Sequence, residues 1–411
     1  MKKIFLITVV LFLAASHLYS QEKTFSVIVK NKTNINRYDS YVALNTKILL
    51  KKHPDFNLNN FVVLDNGKEI PYQVESVKNK DSKIGFVLNI KAKEKKAIII
   101  KYGKNIKPGV YASRTYAELA VMENGKFDGK RVHGTKYINV SKFNVPSWHI
   151  DHDGLFKCEG PQWESDKVAY RFYLDWRNAI DITGKKVSSL VLKNMGVKDT
   201  IADNNESFHT MAEWGMDIFK VGNSLGIGSL GIWDNGKVNM LSKIDSSKCE
   251  IAMNGPVKSE IITSYYGWNV NGKKYSVESK LSILAGSRLT EHFVSLTGNP
   301  ENIVTGLAKY HDTKFIKSNN KKGWNYIALY GKQSLAGDSL GIAVFYKNEQ
   351  KIELAEDDLS YIVKLKPLNG IVDYFFGYAW EQELNGIKNQ KEFIKYLDEV
   401  LIELNNPLIA E

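Results

Sequence analysis

SEIITSYYGWNV (residues 259–270), KYSVESKLSIL (274–284) and RLTEHFVSLTG (288–298) follow one another with only a few residues between them. Each run is rich in β-branched and aromatic residues, and Asn271-Gly272 or Ala285-Gly286-Ser287 separates it from the next. Runs of this kind, bounded by turn residues, read as strands joined by tight turns. The same texture extends both ways, through VAYRFYLDW (168–176) and SLGIGSLGIW (224–233) upstream and WNYIALYG (324–331), SLGIAVFYK (339–347) and VDYFFGYAW (372–380) downstream. Many short strands at fairly even spacing predict a large antiparallel β-sandwich or barrel, and the lack of a strict repeat argues against a propeller.

The preceding stretch is a smaller module of the same class. FSVIVKN (25–31) alternates, FVVLDNGKEIPYQVESV (61–77) predicts a hairpin turning at Asn66-Gly67, and IGFVLNIKAKEKKAIIIKYG (84–103) supplies two more strands. The period changes at the end of the chain. Phe393, Ile394, Leu397, Val400, Leu401 and Leu404 fall at helical spacing, with Asn389 and Glu392 as a start cap and Asn405-Asn406-Pro407 as a stop. The expected chain is therefore mainly β. A signal peptide covers 1–20 and a small N-terminal β-sandwich 21–105. A large, supersandwich-like antiparallel β-sandwich spans 106–385, and a C-terminal α-helix lies within 386–411.

The signal peptide rests on Lys2 and Lys3 ahead of the apolar run Ile4 to Ala15, with small and polar residues up to Ser20. That core is too short for a membrane span, no stop-transfer pattern follows, and no later stretch reaches spanning length. Export to the periplasm is the expectation. Cys158 and Cys249 could pair there, but two cysteines make no disulfide scaffold, and no zinc spacing exists.

Lys and Arg number 56 against 45 Asp and Glu, a formal charge of +11. Export argues against nucleic acid as the matching partner, so an acidic oligosaccharide, sulfated or not, fits better. A solvated lysine-rich surface is the plainer reading. Aromatic residues make up 11% of the chain, which suits stacking on sugars, although β proteins are aromatic-rich in any case.

Residues 130–220 concentrate the reactive side chains. In Val168 to Trp176, strand alternation places Arg171, Tyr173 and Asp175 on one face, with Arg177 returning to it. Such a face cannot meet an ordinary apolar core, because unpaired buried charges cost several kcal/mol each, roughly. It is either wet or the wall of a polar cleft, and nearby Trp163, Glu164 and His209 favour the cleft. HIDHD (149–153) could hold a divalent metal through His149, Asp151, His152 and Asp153, though surface hydrogen bonding is the commoner fate of such histidines. His311 could reach the same cleft. Gly222, Gly226, Gly228 and Gly231 read as turns and close packing rather than a phosphate loop. GxSxG occurs at 222–226 and 337–341, but neither match is followed by the helical pattern of a nucleophile elbow, which disfavours serine hydrolysis.

EGPQWESDKVAYRFYLDWRNAIDITGKK (159–186), HTMAEWGMDIFKVGNSLGIGSLGIW (209–233), VTGLAKY (304–310) and GYAWEQE (377–383) carry a resemblance. They resemble a domain-of-unknown-function family of glycan-utilisation gene clusters that includes ulvan oligosaccharide dehydratases. The resemblance spans nearly the whole mature chain. It implies removal of water across C4–C5 of a non-reducing-end uronic acid, leaving a 4,5-unsaturated sugar, and calls for no cofactor.

That β-elimination needs a cation on the uronate carboxylate, a base for the C5 proton and an acid for the departing 4-hydroxyl. Arg171 or Arg177 would grip the carboxylate. His209 or Tyr173 would take the proton, and His152 or Tyr173 would serve the leaving oxygen. Trp163 and Trp214 would stack on the sugar, Glu164 or Asp175 would orient the basic groups, and Arg131, Lys136 and Lys167 are available for a sulfate. A polysaccharide lyase shares the proton abstraction and is the alternative. A glycan-binding protein, or a hydrolase using Glu164 and Asp175, also fits these residues.

Overall fold

The computed structural model describes residues 22–75, 82–196 and 206–411, with the side chains of Glu206 and Ser207 left out. The expected signal peptide, 1–20, lies outside the described residues. The chain is mainly β, every ladder is antiparallel, and a helix stands near the C-terminus.

In the first module, the strand Lys23–Lys30 pairs with Lys95–Tyr102, which pairs in turn with Phe61–Asp65. A second sheet of Arg37–Asn45, Lys83–Ile90 and Tyr72–Glu75 faces it. Alternation in 25–31 does what the pattern demands: Phe25, Val27 and Val29 go inward, against Phe61, Val63, Ile84, Phe86, Ile98 and Ile100. The hairpin turns at Asn66-Gly67, both at positive φ (50° and 76°), a conformation open to Asn and natural to Gly. A feature absent from the sequence reading completes this sheet: Ile409–Ala410 adds to the free edge of Lys23–Lys30.

The larger part is built on a nine-stranded sheet whose centre is Lys258–Val270, Lys273–Leu284, Leu289–Thr297, Ile371–Trp380 and Ser339–Lys347. Both faces of it are covered. On one side Ile327, Leu329, Ile342, Val344 and Phe376 join the main core, which two five-stranded sheets close. On the other side the alternate residues Tyr326, Ala328, Tyr330 and Phe345 receive Phe393, Leu397 and Leu401 of the helix Gln390–Asn405. The helix starts on the expected cap, with Asn389 Oδ1 accepting from the Glu392 N–H and Asn389 Nδ2 donating to the Glu392 carboxylate. Among the described residues no helix is long and apolar enough to cross a membrane.

One of the five-stranded sheets positions the site. Its order is Gly215–Asp217, Ile180–Lys185, Ala169–Phe172, Gln162–Ser165 and Thr115–Glu118. Its inner face is apolar, with Trp163, Tyr170, Phe172, Ile180 and Ile182 in the main core. Its outer face is ionic, because Glu118, Gln162, Arg171 and Asp181 stand opposite one another in register.

The glycine-rich run is turn and packing, as its lack of phosphate-loop context implies. A Cβ on Gly228, at φ +76°, would sit 2.6 Å from the Phe376 ring. Cys158 and Cys249 are both free thiols, so the pairing considered above does not form.

Candidate active site

The strand expected over 168–176 is shorter than its alternation implied. It ends at Phe172, and the chain then turns through Asp175 to Asn178, with the Asn178 N–H donating to the Asp175 carbonyl (3.1 Å) and Asn178 at φ +40°. The turn, not strand periodicity, carries Asp175 and Arg177 to the site.

A cavity of about 210 Å³ opens over the ionic face of the sheet. Of the twelve residues given a role in the elimination from sequence, Arg131, His152, Arg171, Tyr173, Arg177 and His209 line it, and Trp163, Glu164, Trp214, Asp175, Lys136 and Lys167 do not.

Trp163 is corrected first. It is fully buried, stacks on Tyr170 and donates from Nε1 to Thr290 Oγ1 (2.8 Å), so it cannot meet a sugar. Glu164 is likewise sealed in, accepting from Lys185 Nζ (2.7 Å) and from the N–H groups of Val191 and Leu192. Burial favours the neutral form of both partners, raising Glu164 and lowering Lys185; their mutual attraction opposes this. Both groups are buried and outside the cavity lining. Trp214 is half-buried against the Ala169, Leu192, Met195 and Phe208 cluster, away from the cavity wall. Asp175 does orient a basic group: its carboxylate accepts from Arg177 Nε (2.9 Å) and lies beneath it.

Arg171 is corrected in its role. It is buried, with Nε and Nη2 donating to Asp181 Oδ2 (2.9 and 2.6 Å) and Nη2 also to Asp217 Oδ2 (2.6 Å). Two carboxylates already neutralise it, so it is no free clamp for a uronate. Arg177 is similarly taken, with Nη2 reaching Asp151 Oδ1 (2.6 Å), Glu159 Oε1 (2.8 Å) and Asp175. Burial works against its charge, but Asp175 and Glu159 outweigh that and hold it above the usual arginine value.

Asp151, His152 and Glu159 offer ligand atoms within 4.8 Å of one another. The Arg177 guanidinium already sits among the carboxylates of that group, supplying the positive charge a metal would bring. His149, Asp151, His152 and Asp153 do not gather as one ligand set: His149 pairs with Asp153, and His152 with Asp151 and Glu159.

Arg131 is different. The chain has six arginines. Arg37, Arg114, Arg171, Arg177 and Arg288 each donate to a carboxylate or a carbonyl. Among the described residues the Arg131 guanidinium has no such partner, and it stands exposed at the cavity wall.

Tyr173 is buried at the cavity floor and donates its O–H to Asp181. Arg177 lies over its ring, and the Arg171 guanidinium is 5.3 Å from the ring centre. Burial, with Asp181 adding to it, keeps the phenol well above its ordinary pKa despite Arg171. It is therefore a neutral hydroxyl whose hydrogen is directed to Asp181. His209, 45% exposed, has Nδ1 3.1 Å from Asp217 Oδ2.

His149 and Asp153, read from sequence as metal ligands or, for the histidine, as a surface hydrogen-bonding group, also line the cavity. Glu159, Asp181 and Asp217 were missed. A signal for the aspartates exists: IDIT and MDIF each set one Asp in an apolar strand, which implies a buried cation opposite. His311 is exposed and outside the cavity. His292, hydrogen-bonded to Ser279 and Tyr374, is held down to about 3 by burial and is a core residue.

Residues 29–409 match the family described as a domain of unknown function, DUF4861. An uncharacterized protein, P7, of Formosa agariphila is 25% identical over 269 residues, which covers 60% of this chain and 65% of that protein. A glycosyl hydrolase family 38 protein of Enterococcus faecalis aligns with a TM-score of 0.44 at 9% identity, over 94% of this chain and 47% of its own. An alpha-mannosidase of Enterococcus faecalis V583 gives 0.43 at 9% identity, over 94% and 46%. The chain thus spans about half the length of these solved proteins.

Proposed function

This chain belongs to the DUF4861 family, and from that footing we propose that it is an exported, periplasmic carbohydrate-active enzyme, an oligosaccharide dehydratase. Its substrate is a non-reducing-end uronic acid of an acidic polysaccharide such as ulvan. The reading is carried by one observation: Arg131, which has no carboxylate or carbonyl partner among the described residues, stands in a cavity floored by a neutral, cation-flanked tyrosine.

Arg131 holds the uronate carboxylate and withdraws charge from it, which makes the C5 hydrogen removable. A histidine backed by a carboxylate, His209 or His149, takes that proton. The electron pair of the C5–H bond becomes the C4=C5 double bond as the C4–O bond breaks. Tyr173 gives its proton to the leaving hydroxyl, which departs as water, and Arg171 and Arg177 stabilise the phenolate left behind. The carboxylates around both arginines keep those guanidinium groups in place, and His152 stands at the rim beside Asp151 and Glu159.

The test is incubation with uronate-terminated oligosaccharides from several acidic glycans, followed by mass spectrometry. The expected product has lost one water at unchanged chain length and absorbs as an unsaturated uronate. Shortened chains would mean a lyase, and binding without any absorbance change would mean a glycan-binding protein.

A further inference from the structure

We infer that His149, held by Asp153, is the base that removes the C5 proton. This rests on the dehydratase reading and names the residue that reading leaves open.

His149 is almost closed to water, its side chain 3% exposed, yet it lines the cavity. Its Nδ1 lies 2.8 Å from Asp153 Oδ2, and the Asp153 carboxylate also accepts from the N–H groups of Ile150 (3.0 Å) and Leu155 (2.8 Å). Burial opposes the charge of Asp153, but these hydrogen bonds hold its pKa below the usual carboxylate value. An ionised carboxylate can only accept, so Nδ1 carries the hydrogen and the lone pair of the neutral ring is on Nε2. That atom is buried and, among the described residues, has no hydrogen-bond partner. Buried polar atoms are mostly paired, and this one belongs to a residue that lines the cavity.

Position points the same way. C5 is bonded to the carboxylate carbon, so the base must stand beside the anion clamp. The Val132 N–H donates to the Asp153 carbonyl (2.7 Å), which ties the loop of His149 to the strand end that carries Arg131. His209 is less well placed to be the base. It is half-exposed, and its partner Asp217 makes its shorter contact with Arg171, 2.6 Å against 3.1 Å. Among the described residues Asp153 pairs with no Lys or Arg, only with His149. In the step, Nε2 of His149 gains the C5 proton and Tyr173 loses one to the leaving oxygen, so the protein keeps its proton count and releases one water.

The experiment uses the whole chain and a disaccharide ending in a glucuronate, with and without deuterium at C5. His149→Gln is expected to lower kcat by about 10²-fold or more with KM within about threefold, and to raise the deuterium isotope effect on kcat above that of the unaltered protein. His209→Gln should lower kcat by less than His149→Gln does and leave the isotope effect at that of the unaltered protein. Should His149→Gln fail to fold, Asp153→Asn reads the same link and is expected to lower kcat by about tenfold or more. The inference is overturned if folded His149→Gln keeps more than a tenth of kcat, or if His209→Gln carries the loss and the raised isotope effect. If the unaltered protein removes no water from any uronate-terminated sugar, the dehydratase reading itself falls and this one with it.

Discussion

The guanidinium of Arg177 lies 3.8 Å from the centre of the Tyr173 ring. The tyrosine hydroxyl meanwhile points to Asp181, which Arg171 also holds. One phenol thus sits between two cations and a carboxylate, in a wall almost free of water. The cations stabilise its anion only once the proton has gone, which is the behaviour wanted of an acid in a transition state.

Tyr173→Phe keeps the ring under Arg177 and removes only the hydroxyl. Turnover on a uronate-terminated oligosaccharide is expected to fall by about 10²–10⁴, the usual worth of a general acid. Arg171 still satisfies Asp181, so the thermal midpoint should move by only a few degrees. Product absorbance and a thermal melt check the two halves.

Arg131→Ala is expected to leave the melting temperature unchanged, because the side chain is exposed and has no ion pair among the described residues. It should lower kcat/KM by about 10²-fold or more, as befits a lost charge-assisted contact to a carboxylate. Arg131→Lys restores the charge but not the two-pronged geometry, and recovers only part of the rate. A neutral sugar should gain nothing from either residue.

Lys185→Met strands the Glu164 carboxylate in the interior and should destabilise the fold by about 3–5 kcal/mol. Lys185→Met combined with Glu164→Gln removes the stranded charge and should recover much of that loss. Urea unfolding of the single and double variants measures the difference.

Neither cysteine should react with a thiol reagent at neutral pH in the folded protein. Burial pushes Cys158 up to about 12, and Cys249 is also raised by burial. Both thiols should titrate at once in denaturant, without any reductant.

Strands, turns and the capped helix were legible because each follows from local chemistry: Asn66-Gly67 for the hairpin, Phe393, Leu397 and Leu401 for the helix face. The gathering of reactive residues was legible in part, since six of the twelve given roles do share one cavity. What escaped depends on partners far along the chain. Arg171 looked like a free cation, and only the lateral neighbours Asp181 and Asp217 show that its charge is taken. Trp163 looked like a sugar platform, but strand alternation sends it to the core while Gln162 and Glu164 go outward. His149 looked like a surface residue because the three bonds that fix Asp153 come from a loop, which has no periodicity to read.

The pairing of Ile409–Ala410 with Lys23–Lys30 also bears on how the molecule is made. Ile28 and Glu411 exchange backbone hydrogen bonds across nearly the whole length of the chain. The first sheet to emerge during synthesis therefore keeps an open edge until its last strand arrives, and an open edge invites pairing with other chains.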